Sequence, residues 1–305
     1  MRLKLQLVLC NDKGDEETVT DVITLNKNNQ RIEHLGLTLA EAKQLLSTLQ
    51  RHLLQHQVDT FLAPCSTCPD CGALLKVKAH ASRSFRTLFG TCTLDSPRLE
   101  HCDCIRRKTL SFRPLAALLT ESVAPELLYM EAKWSSLVSY GMSLEALKDF
   151  LPLEVTLDVK TVRYDTLKVA KRLEAELGDE QPGFIDGNPS DWVLLPQPEG
   201  SFNVGIDGGY VRNWFDKKHH FEVIVGKSVL SVREDEDVQS PSPKRLGFVQ
   251  TLDTKPKRRL YEVLQSQGLQ MNQEITFLSD GNDTLRALQL EMSPKATHLF
   301  EWFIS

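Results

Sequence analysis

Two aspartates follow apolar runs and precede a glycine: Asp207 in FNVGIDGGYVRNW (202–214) and Asp280 in ITFLSDGNDTLR (275–286). Either one alone reads as an Asp-Gly turn after a strand. Together they are separated by 73 residues that read as two further strands and a helix. That order can bring two carboxylates onto adjacent strands of one sheet. Hard oxygen ligands placed in this way hold Mg²⁺ or Mn²⁺, which activates a water or a 3′-hydroxyl and stabilises the leaving oxygen of a phosphoryl transfer. Asp283 reads as a first-turn helix residue favoured by the helix dipole.

A second chemistry lies in the cysteines. There are seven, and they are grouped rather than scattered, in a chain whose start alternates like a strand and reads as no signal peptide, so disulfides are not expected. Cys68-Pro-Asp-Cys71-Gly72 is a knuckle with two thiolates on one tight turn, and Cys102-Asp-Cys104 is a second close pair. Four thiolates suit a tetrahedral structural Zn²⁺, and the stretch TLFGTCTLDSPRLE between the pairs reads as the hairpin of a zinc ribbon. Cys65 forms another Cys-x-x-Cys with Cys68, so a shifted ligand register is the alternative. Cys10 and Cys92 read as core or surface thiols. His52 and His56 have i, i+4 spacing but lack the glutamate of a metalloprotease helix, and read as an exposed helix face.

The net charge of −5 excludes a uniformly basic nucleic-acid binder. Residues 74–113 nevertheless carry nine Lys/Arg against three acids, among them Arg106, Arg107 and Lys108. Such local asymmetry points to a polyanionic partner, or else to a solvated basic face. Further along, SYGMSLEALKDFLPLEVTLDVKTVRYDTLKVAKRLE reads as a helix, a turn and a second helix, with Ser143 and Asp158 as the caps. Lys160, Arg163 and Lys168 on the second helix, with Lys171 and Arg172, are positioned as a helix-turn-helix offers residues to phosphates and base edges. Most two-helix segments with surface lysines bind no DNA, so this pattern gains weight only beside the cysteine module and the basic stretch. Lys255, Lys257, Arg258 and Arg259 are further phosphate candidates, with a solvated helix start as the plainer role.

These residues need a framework to position them. Residues 1–63 read as a β-hairpin and a helix, with Thr38 and Glu41 at capping-box spacing and the helix ending before Pro64. Residues 64–113 form the zinc-ribbon-like segment and 114–177 the helical region, broken near Pro125, Gly141 and Pro152. A linker is expected over 178–201, which holds four prolines and four glycines. From 202 to 305 the predicted strands are 203–206 continuing past the glycines, 221–229, 246–252 and 275–278, with a helix over 255–267. The fold class is therefore α+β multidomain, ending in an α/β domain whose strand order suits a ribonuclease H-like sheet. No apolar run reaches the roughly 20 residues needed to span a bilayer, and a cytoplasmic chain is expected.

The ordered stretches LGLTLAEAKQLL, CPDCG, RTLFGT, SPRLEHCDC, PELLYMEAKWSSLVSYG, TVRYDTL, GIDGGYVR and FLSDGNDTLR resemble bacterial insertion-sequence transposases of the ISKra type. These belong to the ribonuclease H-like enzymes with an Asp-Asp-Glu triad. The resemblance covers nearly the whole chain and implies that Asp207 and Asp280 are the two catalytic aspartates. It also implies a DNA-binding N-terminal half, double-stranded DNA as partner (element ends and target) and nucleoid association when bound, with homo-oligomers admitted. Members of the family continue past HLFEWF into a helical part that carries the third acid. Here 25 residues follow Asp280, and neither Glu291 nor Glu301 stands where that acid is expected. The resemblance therefore implies an incomplete ribonuclease H-like α/β domain, and the expectation is a transposase shortened at its C-terminus, with exposed apolar surface and poor solubility. The alternative is a catalytically inactive DNA-binding regulator or inhibitor of transposition.

Overall fold

Polar and apolar residues alternate in RLKLQLVLC and EETVTDVITLN, and the two segments pair as an antiparallel hairpin, β1 (Arg2–Cys10) and β2 (Glu16–Asn26). The computed structural model describes residues 1–10, 16–27, 32–104, 111–154, 157–180, 194–196, 198, 200–231, 242–280, 282–293 and 296–300. Among these residues there are seven α-helices and three β-sheets, a mixed α/β architecture. The chain divides into two units, Met1–Arg172 and Leu173–Ser305. The division falls ahead of the expected linker, most of which (181–193, 197 and 199) lies outside the described residues. No described helix is long and apolar enough to cross a membrane.

In the first unit, α1 (Leu39–Cys65) opens on the capping box read from the sequence. Thr38 Oγ1 accepts the Glu41 N–H at 3.3 Å, and Glu41 Oε2 accepts the Thr38 N–H at 2.8 Å. The helix passes Pro64 by one residue instead of stopping before it. Val58 of α1 packs with Cys92, Leu94 and Leu115, so Cys92 is a core thiol, and burial pushes its pKa up. Cys92 and Leu94 belong to β4 (Gly90–Glu100), which pairs with β3 (Val77–Thr87) and with the short β5 (Ser111–Phe112). The β3–β4 turn depends on Gly90, whose φ of 110° a side chain rarely adopts.

Four helices follow: α2 (Leu115–Leu118), α3 (Pro125–Ser135), α4 (Tyr140–Phe150) and α5 (Val159–Glu176). The expected cap of α4 is corrected. Ser139, with extended backbone, is the cap and accepts the Met142 N–H. Ser143 lies one turn inside, buried, donating to the Ser139 carbonyl at 2.9 Å. The break expected near Gly141 accordingly falls at Ser136–Ser139, since Gly141 fits inside the first turn. Asp158 caps α5 as expected, accepting the Thr161 N–H at 2.8 Å. The Thr161 hydroxyl and N–H hold the Asp158 carboxyl below its usual range.

A buried charge cluster ties three elements of this unit together. Arg86 of β3 pairs with Asp165 of α5 and faces Glu131 of α3 at 3.8 Å. Glu131 is fully buried, and neither of its oxygens is hydrogen-bonded. Burial, and after it the charge of Asp165, pushes the Glu131 carboxyl up to about 8, against which Arg86 acts only partly. One cation thus serves two buried carboxylates, and the cluster is comfortable when one of them carries a proton.

In the second unit, β6 (Ser201–Arg212), β7 (His220–Ser231), β8 (Lys244–Val249), β9 (Ile275–Ser279) and β10 (Thr297–Phe300) form one sheet in the order β10-β9-β6-β7-β8. The first three form an antiparallel meander, and β9 and β10 add parallel on the other side of β6. Helices α6 (Pro256–Gln265) and α7 (Asp283–Met292) supply Leu260, Leu264, Leu285 and Leu288 to a core with Phe202, Val204, Ile206, Ile224 and Phe277. Asp283 occupies the first turn of α7, as expected. The strand β10 was not foreseen. By period-two alternation, Val225, Leu278 and Leu299 point away from this core, and they are about half exposed.

The charge cluster fixes the sign of a pH effect. The Glu131 carboxyl is raised from 4.5 to about 8 by folding, so its contribution to stability is full below about 4.5 and is lost as pH rises to about 8. Unfolding of the first unit, followed across this range, is expected to show decreasing stability with rising pH, and Glu131→Gln is expected to flatten that slope. Arg86→Ala, which strips both carboxylates of their cation, is expected to cost about 3–5 kcal/mol.

Candidate metal centre and carboxylate pair

The first knuckle forms where α1 ends. Cys68 N–H bonds to the Ala73 carbonyl at 2.8 Å and Gly72 N–H to the Cys68 carbonyl at 2.9 Å, folding the backbone round the two thiols. Gly72 closes the turn at φ 72°, a conformation costly for any residue with a Cβ. The second pair lies just beyond β4, where the Glu100 N–H bonds to the Lys76 carbonyl and the His101 ring stacks on Phe112 of β5. The β3–β4 hairpin thereby brings Cys102 and Cys104 back to Cys68 and Cys71.

All four sulfurs lie within 4.8 Å of one another. Contacts between them are 3.5 Å (Cys68–Cys104), 3.4 Å (Cys71–Cys102) and 3.5 Å (Cys71–Cys104). A tetrahedron of thiolates at about 2.3 Å from zinc has edges of about 3.8 Å, so the cluster is close to the size such an ion needs. The group can hold a metal such as zinc. Cys65 does not join it, because it remains on α1 with its thiol directed to the Phe61 carbonyl. The ligand register with Cys68 and Cys71 is therefore the one realised. Backbone N–H groups, that of Cys71 first and then that of Asp70, bring the Cys68 thiol down to about 7. Cys104 is pushed well up by Cys102, then by Cys68 and Cys71, the direction that crowding of thiols imposes.

The second constellation is the aspartate pair. Strands β6 and β9 run parallel with Gly205 level with Leu278. The ladder ends there: Asp207 lies two residues further along β6, and Asp280 directly follows the last residue of β9, Ser279. Phe202, Val204 and Ile206 face the core, as do Ile275, Phe277 and Ser279. Period-two alternation therefore puts both aspartates on the opposite, open face of the sheet, and both are exposed. Both therefore stand at the same end of two neighbouring strands of the sheet.

The turn reading fails at Asp207. β6 continues straight through Gly208 and Gly209 to Arg212, paired throughout with β7. Neither glycine has positive φ, so backbone conformation does not require them. Their value is space. Gly205 and Gly209 share the face of Asp207, two residues before and after it, and a Cβ at either would meet nothing within 4 Å. The carboxylate stands in a bare strip where another backbone can approach closely. Asp207 Oδ1 accepts the Gly208 N–H at 2.9 Å, and Asp280 Oδ1 accepts the Asn282 N–H at 3.1 Å. Asn282 caps α7 and also donates to Glu222 of β7 at 3.3 Å. Glu222, which no local pattern singles out, lies on the core side of the sheet by alternation with Ile224.

The cationic residues are distributed unevenly. Lys160 and Arg163 are exposed on α5 and make no ion pair among the described residues. Lys168 instead pairs with Glu121 at 3.0 Å, and Arg172 joins the same carboxylate. Arg106, Arg107 and Lys108 lie outside the described residues. Arg86, counted in the basic stretch, is consumed by the buried cluster. The α6 cations do not form a solvated helix start. Arg259 pairs with Asp253 and Glu174, Lys255 lies 3.9 Å from Glu174, Arg258 pairs with Glu262, and Lys257 with Glu291. The tight turn among the helices is Ser136–Ser139 between α3 and α4, whereas α4 and α5 are joined by residues 151–158.

No protein-family model matches the chain, and no curated relative matches it either. The geometry stands by itself as the basis for a functional reading.

The four-thiol cluster predicts one tightly held ion per chain. Titration with Co²⁺ is expected to give the thiolate charge-transfer absorption of a tetrahedral site with a stoichiometry of one. Cys102→Ser should weaken binding strongly, and Cys65→Ser should leave the spectrum and stoichiometry unchanged.

Proposed function

We infer that this chain is a DNA transposase of the ribonuclease H-like, Asp-Asp-Glu type. The observation that carries the reading is that Asp207 on β6 and Asp280 directly after β9 lie at the same end of two adjacent parallel strands, both exposed. The central position of β6 in the order β10-β9-β6-β7-β8 supports it. So do the glycines on either side of Asp207, which leave room for a phosphodiester backbone. The cysteine cluster supports a zinc ribbon whose Zn²⁺ is structural, held by Cys68, Cys71, Cys102 and Cys104. Exposed Lys160 and Arg163 on α5, following the α3–α4 pair, support contact of a helix-turn-helix-like region with the phosphates of element ends.

Two carboxylates are a donor set that suits Mg²⁺ or Mn²⁺, which takes hard oxygens and completes its shell with water and substrate phosphate. When bound, such an ion supplies Lewis-acid activation of the phosphoryl group and of the attacking hydroxyl. The protein's part is to hold the ligands. Asp207 is fixed by the pairing of β6 with β7, Asp280 by the Asx turn that leads into α7. The backbone N–H groups of Gly208 and Asn282 orient one oxygen of each carboxylate and leave the other for the ion. The N-terminus of α7 next to Asp280 adds positive potential toward anionic substrate.

A specific observation favours the second reading, a DNA-binding regulator without catalysis. Among the described residues, the four cysteines form the one group of three or more His, Cys, Asp or Glu ligands. Glu291, downstream of Asp280 on α7, is engaged with Lys257 at 3.3 Å.

Incubation of the purified chain with duplex DNA carrying element ends distinguishes the two. The transposase reading expects Mn²⁺-dependent strand cleavage that falls to background in Asp207→Ala while DNA binding persists. Binding with no cleavage, unaltered by Asp207→Ala, supports the regulator.

A further inference from the structure

We propose that the tip of the β6–β7 hairpin is a base-stacking element that engages unpaired nucleotides beside the carboxylate pair. The proposal rests on the DNA-processing reading above and states where along its substrate the bases are unpaired.

β6 and β7 stay in register out to Arg212 and His220, well past Asp207. The connection between them is thus carried at the end of a two-stranded ribbon. Trp214 is 85% exposed and Phe215 97%, with Tyr210 on the ribbon at 72%. Neither tip aromatic takes part in the core of the second unit, which closes without them. Two adjacent bare rings gain nothing from folding, and their burial awaits a partner.

Polar contacts hold the turn that presents them. Asn213 Oδ1 accepts the N–H groups of Phe215 at 3.0 Å and Asp216 at 3.3 Å. Asp216 accepts the Lys218 N–H at 3.1 Å and pairs with His219 at 2.7 Å. Arg212 Nε donates to the Lys217 carbonyl at 3.3 Å. The rings therefore sit on an ordered turn, which lowers the entropy lost when they are captured.

Charge selects the occupant. Arg212, Lys217 and Lys218 flank the rings, and Asp216 is the single acid in residues 212–220. Exposed aromatic faces interleaved with cations match single-stranded nucleic acid, whose bases offer π faces and whose phosphates offer anions. A fully paired duplex offers the phosphates but keeps its base faces stacked. Position points the same way. Arg212 is five residues beyond Asp207 along β6, about 17 Å at 3.4 Å per residue. The rings lie just beyond Arg212, so a strand with one phosphate at Asp207 can run along the same ribbon to reach them.

The test measures binding of the full chain to two labelled oligonucleotides by fluorescence anisotropy: a paired duplex, and the same duplex with a short central bubble. Stacking on a single base favours the bubble by about fivefold or more. The variant Trp214→Ala/Phe215→Ala is expected to lose that preference and keep its affinity for the paired duplex. Trp214→Tyr/Phe215→Tyr is expected to retain the preference. An unchanged melting profile checks that these exposed positions leave the fold intact. Equal affinity of the parent chain for both probes, or a preference that survives the double alanine variant, overturns the proposal and leaves the DNA reading standing. Failure to bind either probe overturns the DNA reading as well. Binding to phosphatidylserine vesicles that the double alanine variant abolishes, with no bubble preference, assigns the tip to a lipid surface and overturns the proposal.

Discussion

The second unit depends on the register of β6 against β9. Burial of Phe202, Val204 and Ile206 on one strand and of Ile275, Phe277 and Ser279 on the other pins that register from the core side. Because strand side chains alternate with period two, a slip of one residue would send an apolar set to solvent and turn one aspartate into the core. The same burial that stabilises the sheet therefore aligns the two carboxylates on its open face. No direct interaction between Asp207 and Asp280 is needed to hold them together.

The first unit solves a similar problem with sulfur. Crowding four thiols within 4.8 Å is unfavourable once they ionise, and a bound cation turns that repulsion into a cross-link. The cross-link joins the end of α1 to the far end of the β3–β4 hairpin. The charge cluster of Arg86, Glu131 and Asp165 joins the same hairpin to α3 and α5.

What the sequence revealed depended on how local the cause was. The Thr38–Glu41 box, the Cys68–Cys71 knuckle and the Asp158 cap were legible because each is specified by neighbours in the chain. Ser139 and Ser143 both precede apolar residues at helical spacing. Only the backbone conformation, extended at Ser139, decides between them. THLF in β10 is too short to read as a strand, and it becomes one because β9 offers an unpaired edge. Arg86, Glu131 and Asp165 are far apart in sequence, and nothing local marks any of them as buried. The GIDGG stretch was legible as a strand with an aspartate, whereas the open strip formed by Gly205 and Gly209 appeared only once their shared face was known.

The central claim is that Asp207 and Asp280 act as one cation site. Its most direct test is a double-mutant cycle on Mn²⁺ binding, read by electron paramagnetic resonance of the free ion with the cysteine site already filled by zinc. The account predicts a single Mn²⁺ site that is weakened by Asp207→Asn and by Asp280→Asn, with the double variant hardly worse than either one, because one shared ion is lost only once. Losses that add independently, or Mn²⁺ binding indifferent to both substitutions, would contradict it.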